Sequence, residues 1–171
     1  MNIVPLSKEN LEDTIQMAHK AFPLDAAGEN PPEKGFRKSL EIHGDEDLEA
    51  WHRMTQGKKI SRLNYWVLLD ENNKVVGVTG LYSFSEAPDE VWLAWFCLDP
   101  ITRGKGLGRK LLNWTMEKAR SEGYAKFRLY TSTDPNEAAA QNLYESVGLK
   151  ITEEKDDPDS PYKLMYREVM L

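Results

Sequence analysis

The chain has little of what several classes of protein depend on. It holds one cysteine, Cys97, among 171 residues, which excludes an intrachain disulfide and a thiolate metal cluster. Its three histidines lack metal-ligand spacing, so no metal is predicted. No apolar run approaches the roughly 20 residues that a membrane helix needs, and the first residues lack a basic segment followed by an apolar core. We expect a soluble, cytoplasmic protein.

The net charge of −6 is unevenly distributed. Residues 101 to 128 hold eight Lys or Arg and two Glu, so this segment carries +6 and the remainder carries −12. A basic segment favours an anionic ligand, and an acidic remainder favours a cationic substrate over nucleic acid. We expect no nucleic-acid or membrane partner. Acidic residues such as Asp45, Glu46, Asp47 and Glu49 favour a small cationic amine or a peptide amine.

The length predicts one domain, residues 1–171. Hydrophobic periodicity and turn residues predict its first half. The elements are a strand at 3–6, a helix capped by Ser7 and ended before Pro23, a loop, one or two helical segments over 34–56, and an antiparallel meander at 62–69, 74–83 and 90–98.

The second half begins with a turn and a helix over 108–122, stopped by Gly123. A strand at 126–133 follows, then a helix opened by Asp134-Pro135-Asn136-Glu137 as a capping box and closed by Gly148. The last strands are predicted at 149–154 and 162–170. Strand, turn, helix and strand form a crossover unit, so the strands at 90–98 and 126–133 should lie parallel in a mostly antiparallel sheet.

The turn is rich in glycine and reads Arg103-Gly104-Lys105-Gly106-Leu107-Gly108. A glycine turn that leads from a strand into a helix is suited to binding phosphate, because the backbone can approach the ligand and the first helical N–H groups lack intrahelical partners. The spacing does not fit the kinase-type phosphate loop or the Gly-x-Gly-x-x-Gly dinucleotide fingerprint. A pyrophosphate ligand of another kind is therefore predicted.

Two sequence motifs follow one another along the chain. Arg103-x-x-Gly106-x-Gly108 follows Leu98-Asp99-Pro100, and about thirty residues later comes Asn136-x3-Ala140-x2-Leu143-Tyr144-x3-Gly148. Over roughly residues 90 to 150 this resembles the GNAT superfamily of acetyl-coenzyme A-dependent N-acetyltransferases. The resemblance implies an α/β fold of the α+β type: a single-domain GNAT fold with a mixed, mostly antiparallel sheet of about seven strands, helices on both faces, and two parallel strands that splay apart.

The resemblance also implies a co-substrate and its binding residues. Acetyl-CoA would donate its acetyl group directly to a primary amine, of a small molecule or a peptide, in a ternary complex without a metal. A homodimer is left open. The residues implied in binding the cofactor are Phe96, Cys97, Leu98, Arg103, Gly104, Lys105, Gly106, Leu107, Gly108, Arg109 and Asn136.

Tyr144 and Glu90 are the predicted catalytic residues. Tyr144 occupies the family's tyrosine position, and a phenol with a pKa of about 10 can protonate a departing thiolate. Many members carry a glutamate where this chain has Trp92, so Glu90, two residues earlier, is the candidate base, directly or through water. The family also uses ordered water or an already deprotonated amine. The neighbouring aromatics, Trp92 included, pack in the core or wall an acceptor pocket with cation–π character toward an ammonium group.

Two alternatives remain at this point. The first is a non-catalytic sensor or assembly module that binds acyl-CoA, which Trp92 in the usual acid's place favours. The second is a transferase for another acyl group, such as succinyl or propionyl. The walls of the acceptor pocket are expected from residues 23–56 and from the connection over 84–89, where no motif is recognisable.

Overall fold

The structure, a computed structural model, describes residues 2–28, 31–41, 58, 60–158 and 160–171. In these ranges no helix is both long enough and apolar enough to cross a membrane. The helices are α1 (Leu11–Ala21), α2 (Pro23–Ala26), α3 (Pro32–Glu41), α4 (Leu107–Ser121) and α5 (Ala138–Ser146). The strands are β1 (Asn2–Pro5), β2 (Ile60–Leu69), β3 (Val75–Phe84), β4 (Ala87–Leu93), β5 (Cys97–Leu98), β6 (Lys126–Ser132), β7 (Lys150–Asp156) and β8 (Lys163–Met170).

The strands form one eight-stranded sheet in the order β1-β2-β3-β4-β6-β8-β7, with β5 paired to β3. The pairing of β4 with β6 is parallel and the other pairs are antiparallel. This confirms the predicted meander and the predicted parallel crossover. The sheet has one strand more than expected, because the predicted strand over 90–98 is divided into β4 and β5.

Helices cover both faces of the sheet, as predicted. On one face, Ile15 of α1 and Phe36 of α3 pack against β2 and β3 in a core that extends to Trp92 and Tyr166. On the other face, Leu112 of α4 and Tyr144 of α5 pack against β4 and β6. These two surfaces are called the α1 face and the α4 face below.

A gap opens between the two parallel strands. Their register runs from Glu90↔Lys126 to Trp92↔Arg128 and stops there. Beyond that pair β6 continues to Ser132 beside β8, whereas the chain after Leu93 turns toward β3 and pairs with it again in β5. The described strands therefore separate at Trp92 and Arg128, as the resemblance implied.

One predicted helix cap is wrong and the other is confirmed in part. Helix α1 begins at Leu11 rather than after Ser7, because Asn10 closes a turn in which its side chain accepts from the Ser7 amide and donates to the Pro5 carbonyl. Before α5, Asp134 caps a 3-10 turn at Pro135–Glu137 by accepting from the Asn136 amide. Glu137 does not complete a capping box, because its carboxylate bonds β6 instead.

Candidate active site

A buried aspartate starts the approach to the glycine turn. Asp99, only 2% exposed, donates its backbone N–H to Val76 of β3, and its side chain accepts from the Ile101 amide. Asp99 thereby caps a 3-10 turn at Pro100–Thr102, with Pro100 in its first turn. The motif Leu98-Asp99-Pro100 therefore fixes the direction in which the chain leaves the sheet.

The glycine turn has the geometry of an anion-binding loop. Gly104 and Gly106 have φ of 78° and 75°, and Gly106 is the N-cap of α4. These are left-handed conformations that favour glycine. None of the six backbone N–H groups from residue 104 to residue 109 donates to another residue that the structure describes. Six donors at the positive end of a 15-residue helix suit a pyrophosphate.

Basic side chains surround these donors. Arg103, Lys105 and Arg109 are exposed, and Arg109 reaches the Ser146 carbonyl at the end of α5, 3.4 Å from its Nη1. Gly108 differs from the first two glycines, because a Cβ there would lie 3.4 Å from Leu143 of α5. Gly108 and Leu107 are half-buried and join the turn to the body of the protein.

Strand β5 presents an unpaired backbone edge to the gap. One edge of Cys97 and Leu98 pairs with Val78 and Gly77 of β3, and the other edge has no strand partner among the described residues. Phe96, half-buried, precedes it. An unpaired edge can bind the amides of an extended ligand as a further strand would. This is the geometry that the resemblance implied for residues 96–98.

Cys97 is not a nucleophile in this arrangement. Its side chain is buried with Sγ 3.8 Å from Sδ of Met17, and burial raises the pKa of the Cys97 thiol to about 12. A thiol with that pKa is protonated at neutral pH and is a poor nucleophile.

Tyr144 lies on the α4 face of the gap. It is 7% exposed, and burial raises the pKa of its hydroxyl above the ordinary value near 10, with the Glu137 carboxylate adding to the rise. The Cys97 thiol makes a smaller contribution of the same sign. No described residue accepts a hydrogen bond from the Tyr144 hydroxyl. A protonated hydroxyl without a partner is suited to donating a proton.

A buried polar network that the sequence analysis missed positions α5. Arg167 of β8, 2% exposed, donates to Gln141 Oε1, to the Leu149 carbonyl and to Glu145 Oε1, at 3.0, 3.0 and 3.1 Å. Gln141 in turn donates to Thr131 and to the Ser132 carbonyl of β6. An arginine in an alternating strand is the only sequence signal for this network, and such a residue is ordinarily exposed.

Asn136 is exposed in the turn that leads into α5. Its backbone N–H donates a hydrogen bond to Asp134 Oδ1 at 2.8 Å. Its side chain has no hydrogen bond to a described residue. The prediction that it binds the cofactor therefore stays a prediction, with an accessible amide in its favour.

Glu90 does not have the environment of a general base. Its carboxylate accepts from Lys126 Nζ at 2.8 Å and from Arg128 Nη1 at 3.0 Å. Burial alone would raise the pKa of Glu90, but these two hydrogen bonds outweigh burial and lower it. A doubly paired carboxylate with a lowered pKa takes a proton poorly. The assignment of Glu90 as base therefore stays a prediction, and its pairing with Lys126 and Arg128 speaks against it.

The aromatic residues on the α1 face form a packed cluster, and Arg and Lys side chains of the protein make cation–π contacts with its rings. Tyr82 and Phe84 contact Trp92, which in turn contacts Tyr166. The Arg128 guanidinium lies 4.6 Å from the Trp92 ring centroid, while Lys58 and Lys155 lie over Phe84 and Tyr166. These aromatics thus pack in the core, which is one of the two interpretations, and three of the rings contact cations of the protein itself.

Other predicted parts of the acceptor pocket are only partly described. The connection between β3 and β4 is the exposed pair Ser85 and Glu86. Residues 42–57, including the acidic run at 45–49, lie outside the described residues. No group of three His, Cys, Asp or Glu that could hold a metal ion occurs within the described ranges.

Residues 28–149 match the family described as "Acetyltransferase (GNAT) family". A Salmonella typhimurium L-methionine sulfoximine/L-methionine sulfone acetyltransferase is 30% identical over 121 residues, which cover 65% of this chain and 66% of that protein. The Xenopus laevis protein "Probable N-acetyltransferase camello" is 34% identical over 86 residues. That match covers 50% of this chain and 38% of the Xenopus protein, so the chain spans well under half of that relative's length.

The fold is also similar to a solved structure. The Escherichia coli ribosomal-protein-S18-alanine N-acetyltransferase superposes with a TM-score of 0.70 at 20% identity, over 99% of this chain and 92% of that one. At that identity the likeness concerns the fold.

Proposed function

Because the chain belongs to the GNAT acetyltransferase family, we propose that it transfers the acetyl group of acetyl-CoA directly to a primary amine in a ternary complex. The observation that carries this proposal is the presence of three features on elements that border one gap in the sheet. They are the glycine turn with six available N–H donors, the free edge of β5, and the buried hydroxyl of Tyr144.

Each feature has a separate role in the proposed reaction. Acetyl-CoA supplies the thioester. The turn from Arg103 to Arg109 holds the pyrophosphate through backbone N–H groups and nearby positive charge. Backbone groups of residues 96–98 hold the pantetheine arm in an extended conformation. The neutral amine attacks the thioester carbonyl, the C–S bond breaks, Tyr144 gives a proton to the leaving sulfur, and the new amide nitrogen loses its proton to water.

The relatives do not agree on an acceptor. The Salmonella protein is named for amino-acid analogues, and the Escherichia coli protein for an alanine of a ribosomal protein. Both acceptors present a primary amine. This is the acceptor chemistry that we propose for the present chain, in place of a non-catalytic acyl-CoA module.

Thiol release from acetyl-CoA tests the proposed function. Purified protein is incubated with amino acids, polyamines, aminoglycosides or short peptides, beside a control without amine. Thiol release that requires one class of amine supports the proposal, and mass spectrometry of the acceptor should show the added acetyl group. Tight binding of acetyl-CoA with no release on any amine would favour the sensor module instead.

A substitution in the glycine turn tests the assignment of the pyrophosphate site. We expect Gly106→Val to weaken acetyl-CoA binding by about 30-fold, because a β-branched residue strains a backbone with positive φ and the donors move. A side chain there meets nothing within 4 Å, so the fold should persist. Gly106→Asn is the matched control, since asparagine tolerates this conformation. Equal affinities for the two variants, measured by calorimetry, would contradict the assignment.

A further inference from the structure

Two side chains in contact at the end of the parallel pairing of β4 and β6 each hold a buried hydrogen-bond donor without a partner. Among the described residues, three buried side-chain polar atoms have no hydrogen bond: Trp92 Nε1, Arg128 Nε and Glu122 Oε2. The first two belong to stacked side chains, with the Arg128 guanidinium 4.6 Å from the Trp92 ring centroid. Trp92 is 8% exposed. Buried polar groups are nearly always paired, so two adjacent unpaired donors require an explanation.

The position of this pair connects it to the proposed reaction. Trp92 and Arg128 are the last residues in register before β4 and β6 separate. Both side chains lie on the α1 face, with Trp92 against Tyr82 and Tyr166. Tyr144 lies on the α4 face. Helix α4, which follows the glycine turn, is also on the α4 face, so the α1 face is left as the approach for the acceptor.

The chemistry of the pair selects the ligand. An indole N–H and a guanidinium N–H only donate, so only a hydrogen-bond acceptor satisfies both. The acidic groups that face Arg128 are Glu90, whose carboxylate accepts from Arg128 Nη1 at 3.0 Å and from Lys126, and Glu168, whose Oε2 lies 3.4 Å from Arg128 Nε without the alignment of a hydrogen bond. A cation would meet the guanidinium that covers the indole and would satisfy neither unpaired donor.

We propose that the acceptor amine carries a carboxylate beside its amino group, as a free α-amino acid does, and that Arg128 and Trp92 bind this carboxylate. The inference rests on the proposed function, because it assigns the acceptor to the same gap. Arg128 and Trp92 then determine specificity, since they distinguish an amino acid from an amine of the same side chain. A peptide with the same first residue lacks a carboxylate at that distance from its amine.

The test uses matched acceptors and matched variants. Alanine, leucine, methionine and phenylalanine are each compared with the corresponding amide and decarboxylated amine. Binding is measured by calorimetry in the presence of CoA, and thiol release is measured separately. At least one acid should bind more tightly than its amide by about 30-fold, because a charged hydrogen-bonded contact is lost in the amide. We expect Arg128→Gln to abolish this preference while acetyl-CoA affinity is unchanged.

Two further variants separate this role from a general effect on packing. Trp92→Phe removes the Nε1 donor but keeps an aromatic ring, and should weaken binding of the acid by about tenfold. Lys155→Gln removes a cation that lies 5.1 Å from the Tyr166 ring of the same cluster and should leave the preference intact. An equal loss in Lys155→Gln would overturn the assignment to Arg128.

The outcomes distinguish this inference from the proposed function. If no acid binds more tightly than its amide, the carboxylate site is wrong, even when amines are acetylated. If acids bind through Arg128 but thiol release is absent, the carboxylate site stands and the proposed transfer fails.

Discussion

Replacement of Tyr144 by phenylalanine should lower kcat by about 100-fold, the size of effect expected when a general acid is removed. The affinity for acetyl-CoA should be retained. Phenylalanine keeps the ring that packs on the α4 face, so the fold and the pyrophosphate site are preserved. Only the proton donor is lost. Because burial raises the pKa of Tyr144, the wild-type hydroxyl is protonated throughout the neutral range, so its protonation state should not make kcat depend on pH there.

Steady-state kinetics and calorimetry with acetyl-CoA measure the two halves of this prediction. Tyr124→Phe is the matched control. Its hydroxyl contacts Ser83 Oγ at 3.3 Å and has no place in the proposed reaction. A Tyr144→Phe enzyme with wild-type kcat would remove the tyrosine from the mechanism. A parallel loss of acetyl-CoA affinity would assign Tyr144 to binding instead of proton transfer.

Replacement of Arg167 by methionine should lower the free energy of unfolding by about 3 kcal/mol, because two partly or fully buried acceptors are left without their donor. These acceptors are Gln141 Oε1 and the Leu149 carbonyl. Methionine has a similar length, so cavity formation contributes little. The network joins α5 to β6 and β8, so its loss should also displace the helix that carries Tyr144.

Denaturant unfolding without ligand measures this effect. Glu145→Gln is the control. It neutralises Glu145, the third partner of Arg167, and the side chain of Glu145 is 63% exposed. The expected loss is small, about 1 kcal/mol, because Glu145 is exposed to solvent and glutamine keeps an oxygen that can accept from Arg167. Equal losses of stability in the two variants would mean that the ion pair, and not the buried hydrogen bonds, stabilises this corner of the protein.

Local chemistry explains which parts of the fold the sequence predicted. The positive φ of Gly123 and Gly148, both just after helices, agrees with their assignment as helix stops, and the alternation of residues in β6 gave nearly its observed bounds. The break between β4 and β5 could not be predicted, since residues 91–98 are apolar throughout and the interruption comes from renewed pairing with β3. Strand propensity is a local property and does not determine which distant strand a segment pairs with.

In the candidate site, too, local motifs could be predicted from the sequence and long-range contacts could not. The glycine turn and Tyr144 follow from motifs contiguous in sequence. The ion pairs of Glu90 could not be predicted, because its partners, Lys126 and Arg128, lie on a strand 36 and 38 residues later and meet it only through parallel pairing. The pairing of Trp92 with Arg128 was hidden for the same reason, although both residues were visible in the sequence.

The shortness of β5 has a consequence for association between molecules. An open strand edge ordinarily invites pairing with another chain, and proteins avoid this with edges that are very short or recessed. Strand β5 has two residues and lies between β3 and the separated end of β6. Its edge therefore offers hydrogen bonds to a slender ligand with a few amides but too little length for a strand from a neighbouring molecule. The same interruption that opens the gap also protects the protein from aggregating through it.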